Sequence, residues 1–595
     1  MPNRSAKKGV PATKDLDYFL YAQVLQPELR AGWQMQTAMA TERGLLSRDI
    51  PDLGAVRSSQ IAQSAPSYTG TNREAGRPET GQEFRVEDEQ PAPGRFAVPQ
   101  SLRLPDRFLE MLPGLLTWLL VTAPLWAGFF LPLPFALAVV AFDIFWLYLS
   151  VSTAWGALKG YAQIHKATRE DWPRRYRAAR IFNRAYLDWD DIRHIVIIPN
   201  YKEPFEILRR TLRSLAVQEL AASIIVVLAM ESREPRAEEK AVLLQEEFGG
   251  QFAGILVSVH PAGLPGEVVG KSSNEAWAGR MVKRVLVDER GFDLQTLTVT
   301  SCDADTIFHP RYFSCLSYEF ATNPNRYRRF WQSPILLTNN VWEVPAPLRV
   351  GGAMAGVHIL SNLMKKNRMI FPQSTYSLSL KMADDVGYWD EDVIPEDWHM
   401  FLKCFFSFSG QVEVEPIFLP TGNDGVKAKS YLRSLQMAYI QHKRHAWGAS
   451  DIPYTIRQCV AHDEIPAGRK LRRLLALSAN HLLWSTHWFL LSLGWMLPLA
   501  LANVVGIRLV PEWLPSLARI ILALCSAPYV LMIAIDSRLR PEPPDGWGKR
   551  NSAVAFVYWW LIPFTSFLFS TVPALESQTR LMLGKRLEYR VTEKA

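Results

Sequence analysis

Three short polar clusters stand in order along the middle of the chain, and their residue types are those that diphosphate and proton chemistry need. Asp303-Ala304-Asp305 follows an apolar run, Leu297 to Thr300. Two carboxylates at the end of a strand can hold a divalent cation beside a diphosphate, because hard cations take oxygen ligands. Glu396-Asp397-Trp398 can supply a general base. Gln441-His442-Lys443-Arg444 can supply amide and cationic contacts to an anionic leaving group, and His445 and Trp447 follow directly. Earlier, Gly270-Lys271-Ser272-Ser273-Asn274 puts a lysine ahead of a helix read over Glu275 to Val287, a place that suits an anion. The spacing of a P-loop is absent. Around Asp397 lie Asp384, Asp385, Asp390, Glu391, Asp392 and Glu396, a crowd whose mutual repulsion could raise a local pKa toward neutrality. On chemistry alone any of these acids could be the base.

These clusters need a scaffold, and the flanking sequence predicts one. Ile195 to Ile198, closed by Pro199, reads as a buried parallel strand. Phe205 to Leu220 has helical periodicity with Leu208, Leu212 and Leu215 on one face, and Ile224 to Leu228 is the next strand. Strand, helix, strand opens a doubly wound α/β domain, in which ligands bind at the carboxyl ends of the strands. Tyr201-Lys202-Glu203 and Met230-Glu231 fall at such ends. Tyr431 to Ala446 reads as a basic amphipathic helix that could lie along a membrane surface.

A membrane enters through the apolar runs. Leu109 to Leu131 and Pro134 to about Ala154 are each long enough to cross a bilayer, and an uncharged Pro-Leu-Pro link joins them as a hairpin. Asp143 inside the second run should face a partner or a water-filled path, and a helix-helix hydrogen bond suffices. Leu474 to about Val510, Leu517 to Ile535 and Ala553 to about Ala574 are further apolar stretches. The loop Arg538 to Arg550 and the basic C-terminal tail both belong in the cytosol by the positive-inside rule. One span between them cannot satisfy both, so one segment is re-entrant, interfacial or miscounted. The expected division is a mostly disordered tail over 1–106, a transmembrane hairpin over 107–157 and a cytosolic linker over 158–192. The α/β domain follows over 193–425, then interface helices over 426–470 and a C-terminal membrane region over 471–595.

Composition removes several classes. A net charge of +8 over 595 residues is modest, and no element gathers basic and aromatic residues into a stripe, so no nucleic-acid partner is expected. Lys159, Lys166, Arg169, Arg174, Arg175 and Arg177 instead cluster beside an apolar run. Five cysteines without a C-x-x-C pair argue against a disulfide framework or a zinc site and fit a reducing compartment.

In this order, between apolar spans, the clusters resemble the family 2 glycosyltransferases of the membrane-embedded polysaccharide-synthase type, which include cellulose, hyaluronan and chitin synthases. The resemblance covers roughly His194 to Val460. It implies a GT-A type α/β domain inserted between transmembrane helices of a multi-pass inner-membrane protein, with the catalytic domain cytosolic. The implied reaction is inverting transfer of a sugar from a nucleotide sugar, in the first place a UDP-sugar, to a growing glycan, with Mg²⁺ or Mn²⁺ as cofactor. Asp305 matches the direct metal ligand and Asp303 its support or a ribose contact; Asp397 matches the base, with Glu396 beside it. Glu203, Glu231, Lys271, Asp303, Gln441 and Arg444 match donor contacts. Trp398 and either His445 or Trp447 match the acceptor side, because the family's Gln-x-x-Arg-Trp signature here has His445 in the tryptophan position. That departure keeps open single addition to a lipid-linked acceptor; a transporter or scaffold without catalysis is a separate alternative, against which Asp303, Asp305 and Asp397 argue. Membrane lipids are expected partners; export or assembly partners are left open.

Overall fold

The computed structural model describes residues 106–365, 370–505, 513–545, 547–548 and 557–587. The tail expected to be disordered lies outside these residues.

The expected strand, helix, strand opening is present, with strands somewhat longer than the apolar runs and a helix that ends at Ala216, four residues before the expected Leu220. Strand β1 (Arg193–Asn200) leads to helix α4 (Phe205–Ala216) and strand β2 (Ile224–Glu231). Helices α1 (Asp106–Phe130), α2 (Pro132–Arg169) and α3 (Trp172–Phe182) precede them. Helix α5 (Ala237–Phe248), strand β3 (Gly254–His260), helix α6 (Lys271–Val282) and strand β4 (Leu297–Ser301) complete a parallel group. The sheet then changes sense. Strand β8 (Tyr376–Ser379) pairs antiparallel with β4 and with β6 (Arg329–Gln332), and β9 (Glu413–Pro416) runs parallel to β6. The resulting seven-stranded order is β3-β2-β1-β4-β8-β6-β9. A second sheet of three short strands joins β5 (Ile307–Phe308), β10 (Thr421–Gly422) and β7 (Ile335–Leu336).

Both faces of the large sheet are covered, which is why its strands are apolar without a break. Side chains of successive strand residues point to opposite faces. Ile195 and Ile197 pack with Ala276, Val282 and Phe401, whereas Val196 and Ile198 pack with Leu208, Leu212 and Leu244. The α/β class expected from the sequence is therefore the one observed, set between apolar helices.

Helices α1, α2 and, near the C-terminal end, α14 (Trp513–Leu539) are long and apolar enough to cross a membrane. The intervening helices are α7 (Tyr312–Thr322), α8 (Ala346–Leu363), α9 (Leu380–Asp385), α10 (Glu396–Ser407), α11 (Tyr431–Ala446), α12 (Asp451–Ala461) and α13 (Ala467–Val505). Helix α2 runs unbroken to Arg169, so the stretch read as a linker begins as the continuation of the second apolar run. Asp143 of α2 accepts a hydrogen bond from Trp495 Nε1 of α13 at 3.0 Å, the helix-helix role that its sequence position allowed. The last apolar stretch, expected as a single span to about Ala574, is broken in its described part. A 3-10 turn (Tyr558–Leu561), helix α15 (Ile562–Ser566), a π turn (Phe567–Thr571) and helix α16 (Val572–Met582) follow one another. Helix α8 docks the α/β domain on α2, and glycine makes the approach possible. A Cβ at Gly160 would stand 2.6 Å from the Leu360 side chain.

Candidate active site

Asp303 and Asp305 follow the end of β4, as expected. Asp305 is 1 % exposed; its Oδ2 accepts from the Asp424 amide at 2.9 Å, and its carbonyl accepts from Asn339 Nδ2 at 2.9 Å. Asp424 in turn pairs with Arg210.

Lys271 is the first residue of α6, so the helix starts four residues before the sequence reading placed it and the lysine belongs to its first turn. Its ammonium donates to Asp303 Oδ1 at 2.8 Å and to the Ser374 carbonyl at 2.9 Å, and pairs with Glu396 Oε1 at 2.8 Å. Burial opposes the charge, but Asp303, Glu396 and Glu275 outweigh it and hold the lysine well above its ordinary pKa. Two motifs distant in sequence thus share one cation.

Ser374 ties the same pair together from the other side. Its hydroxyl donates to Asp303 Oδ2, and its amide donates to Asp397 Oδ2 at 3.1 Å. The residue has φ +55°, a conformation uncommon for a non-glycine residue. Thr375 Oγ1 accepts from the Asp303 amide at 3.2 Å. Sequence reasoning missed both residues. They stand where the β4–β8 pairing puts them: Ser301 faces Tyr376, and continuing that antiparallel register by two residues brings Asp303 opposite Ser374.

Glu396 and Asp397 form the first turn of α10, and Asp397 Oδ1 accepts from the Trp398 amide at 2.8 Å. Burial, and after it the charge of Glu396, push the Asp397 carboxyl up to about 7. Three members of the wider crowd of acids are neutralised by nearby cations. Asp385 pairs with Lys381 at 2.9 Å, Asp390 with Lys403 at 2.6 Å, and Glu391 with Arg280. Buried Glu275, whose Oε1 accepts from Ser301 Oγ at 2.6 Å, is likewise pushed up, to about 8, first by burial. Trp398 stacks on Phe371, with centroids 4.5 Å apart at 17°. One turn into α10, His399 lies between Asp451 Oδ1 at 2.7 Å and Asp390 Oδ2 at 2.9 Å. Burial alone would discharge it, but Asp451 and Asp390 raise its pKa to about 10. An imidazolium therefore pins the helix that carries Asp397 to the start of α12.

The acids expected on the donor side gather at the ends of β1, β2 and β3. Glu231 is 2 % exposed and accepts on Oε2 from Arg233 Nε at 3.1 Å and Nη2 at 2.8 Å, with His260 Nδ1 at 3.4 Å. Glu203 Oε2 accepts from the Tyr201 amide at 2.7 Å. Glu234, which the sequence reading did not single out, accepts from Asn200 Nδ2 at 3.2 Å and from the Lys202 amide at 2.8 Å, and pairs with Lys240. The Tyr201 ring carries Arg233 at 4.5 Å and Lys202 at 4.8 Å.

Helix α11 has the expected bounds. Gln441 and Arg444 are half-buried on it, and Lys443 pairs with Glu576 of α16 at 3.1 Å. His445 is exposed along one edge, and desolvation of its ring, then the charges of Arg444 and His442, lower its pKa to about 3 against the opposing pull of Asp303. Trp447 is 8 % exposed and packs with Ile394, Ala449 and Leu581. Of the sequence-derived residues, the structure joins Lys271 directly to Asp303 and Glu396, and Asp303 to Asp397 through Ser374. Glu203 and Glu231 form a separate group at the strand ends.

Residues 298–535 match the model of the glycosyl transferase family group 2. Solved structures with a similar chain path include the mannosyltransferase PcManGT of Pyrobaculum calidifontis in complex with GDP-Man and Mn²⁺. It has 14% identity and a TM-score of 0.38, covering 71% of this chain and 99% of that one. GalNAc-T7 with UDP, GalNAc and Mn²⁺ has 13% identity and a TM-score of 0.26, over 54% of this chain and 59% of that one. TarS of S. aureus has 11% identity and a TM-score of 0.27, over 58% and 55%. No curated protein matches the sequence. The stretch from β4 to α14, which holds Asp303, Asp305, Asp397 and Arg444, is the part of the chain that matches this family model.

Proposed function

We propose that the chain is an inverting glycosyltransferase that moves a sugar from a nucleotide sugar to a growing glycan at the membrane surface, with its α/β domain on the cytosolic side. The observation that carries this reading is the bridge that Lys271 and Ser374 make between Asp303 and the Glu396-Asp397 pair. It brings Asp397, the base of this reading, near Asp303, a carboxylate that would help hold a cation on the diphosphate, and a single displacement at an anomeric carbon requires such a juxtaposition.

Asp397 takes the proton of an acceptor hydroxyl while that oxygen bonds to the anomeric carbon. The bond from that carbon to the diphosphate oxygen breaks on the opposite face, and its electron pair leaves with the nucleotide diphosphate. Lys271 and Arg444 supply charge-assisted hydrogen bonds to the departing anion. Asp303 and Asp305 offer only oxygen donors, which suits Mg²⁺ or Mn²⁺. Among the described residues no group of three or more His, Cys, Asp or Glu forms a metal cage, so the remaining ligands would be diphosphate oxygens and water. Such a cation would neutralise charge on the leaving diphosphate.

A second reading, single addition to a lipid-linked acceptor, is favoured by one observation. The aromatic platform of chain-extending synthases is His445 here, and the nearby Trp447 is packed in a core. Incubating the purified full chain with a panel of nucleotide sugars and measuring nucleotide release tests the transferase reading. No release with any donor, in the presence of Mg²⁺ or Mn²⁺ and membrane extract as acceptor, would overturn it. Product length on a gel separates extension from single addition.

A further inference from the structure

Two arginines that no acid fully offsets, Arg349 and Arg540, meet where α8 begins and α14 ends. Arg540 Nε pairs with Asp536 Oδ2 at 2.5 Å. Arg349, in the first turn of α8, has no carboxylate partner among the described residues; its guanidinium lies over the rings of Trp342 at 5.7 Å and Trp547 at 5.6 Å. Burial and then the nearby charge of Arg540 lower its pKa. Two cations and one anion leave one positive charge in a largely desolvated place, and such a charge is costly unless an anion joins it.

Orphan donors converge on the same place. Arg349 Nη1, Arg540 Nη2 and Trp342 Nε1 are buried without a hydrogen-bond partner among the described residues. Native proteins leave few such groups, and several together call for a ligand. A narrow cavity opens between the two guanidinia, lined by Leu336, Val341, Gly352, Val357 and Leu539. The next acids along the chain, Glu542 and Asp545, are exposed and pair with neither arginine among the described residues.

Position indicates what the anion is attached to. Ile535 and Leu539 pack against Ala154 and Ala157 of α2 beneath α8, so the pair lies where an apolar helix ends against the α/β domain. Trp342, Trp547 and, over Arg540 at 5.7 Å, Trp559 surround it, and tryptophans of this kind favour the headgroup level of a bilayer. We propose that Arg349 and Arg540 form a binding site for the phosphate of an anionic membrane lipid, with the acyl chains against the apolar wall of α8 and α14. The planar guanidinium forks suit phosphate oxygens. The site rests on reading α14 as a membrane span and is independent of the transfer reaction.

The test uses the full chain purified in a mild detergent and exchanged into mixed micelles of phosphatidylglycerol and phosphatidylcholine. Native mass spectrometry should show one phosphatidylglycerol retained at least tenfold more often than phosphatidylcholine. Arg349→Gln should remove that preference while Arg349→Lys keeps part of it. Equal retention of the two lipids by the unsubstituted protein overturns the proposal whether or not the variants fold. Unchanged preference in a folded Arg349→Gln protein overturns it as well, and so does full competition by inorganic phosphate at the lipid's own concentration, which would make the ligand a soluble anion.

Discussion

Asp397 works against two influences of the same sign, a buried setting and a carboxylate one residue away, and both favour its protonated form. A base must be ionised to act, so transfer should rise with pH through a limb centred near 7. An unperturbed aspartate would place that limb about three units lower. Glu396→Gln removes the second influence, and the limb should then move to lower pH; a profile of kcat/KM against pH in both proteins checks the sign. The test is informative because the outer acids are already engaged by Lys381, Lys403 and Arg280. At the metal-side carboxylates the expected effect differs in kind. On the proposed role of Asp305 as a hard-cation ligand, Asp305→Asn offers a poor one, and turnover should fall by about 100-fold or more, a range typical of lost charge stabilisation, while the protein remains folded. Retention of the metal-dependent rate in Asp305→Asn, measured by nucleotide release across Mg²⁺ and Mn²⁺ titrations, would reassign the ligand.

The C-terminal end of helix α11 sends two neighbouring side chains to different places. Its last turn leaves His445 exposed, and two residues on Trp447 turns into a core with Ile394 and Leu581 that joins the α/β domain to α16. Trp447→Ala should therefore cost about 3–5 kcal/mol of stability, as large buried aromatics do, and lower the thermal midpoint. His445→Ala should leave the midpoint nearly unchanged and alter acceptor use. A thermal melt and a product-length gel on both variants decide it; a stable Trp447→Ala protein with shortened product would reverse the assignment. The elements themselves were largely legible. Apolar runs gave β1, β2 and β4, and helical periodicity gave α4 and α11, because burial on one or two faces leaves a local pattern. Ser374, Thr375 and His399 left no such pattern. Their roles come from strand register and helix docking, which join residues that are far apart in sequence.

At the scale of the molecule, the α/β domain sits on its apolar helices through a close glycine contact, so the side on which that domain lies fixes the side of every neighbouring loop. The sequence exposed the conflict in the C-terminal topology but could not resolve it, because hydropathy sees length and not breaks in a helix. The broken path from Tyr558 to Met582 and the hydrogen bonds that bind Gln578 to the His481 carbonyl at 2.9 Å and to Thr117 hold α16 against α1 and α13. Lys443 and Glu576 hold it equally to α11 of the α/β-domain side. Helix α16 is thus tied to both layers, and the C-terminal end of the described chain should share a side with the α/β domain. Single cysteines test this in a background where the half-buried Cys459 is replaced by serine and the other four, all buried, are left. Exposed Phe182→Cys and Leu583→Cys should react with an impermeant maleimide only in inverted vesicles, and Leu131→Cys, in the turn between α1 and α2, only in intact cells with a permeable outer membrane. Labelling of Leu583→Cys from the same side as Leu131→Cys would place α16 across the membrane and overturn the arrangement.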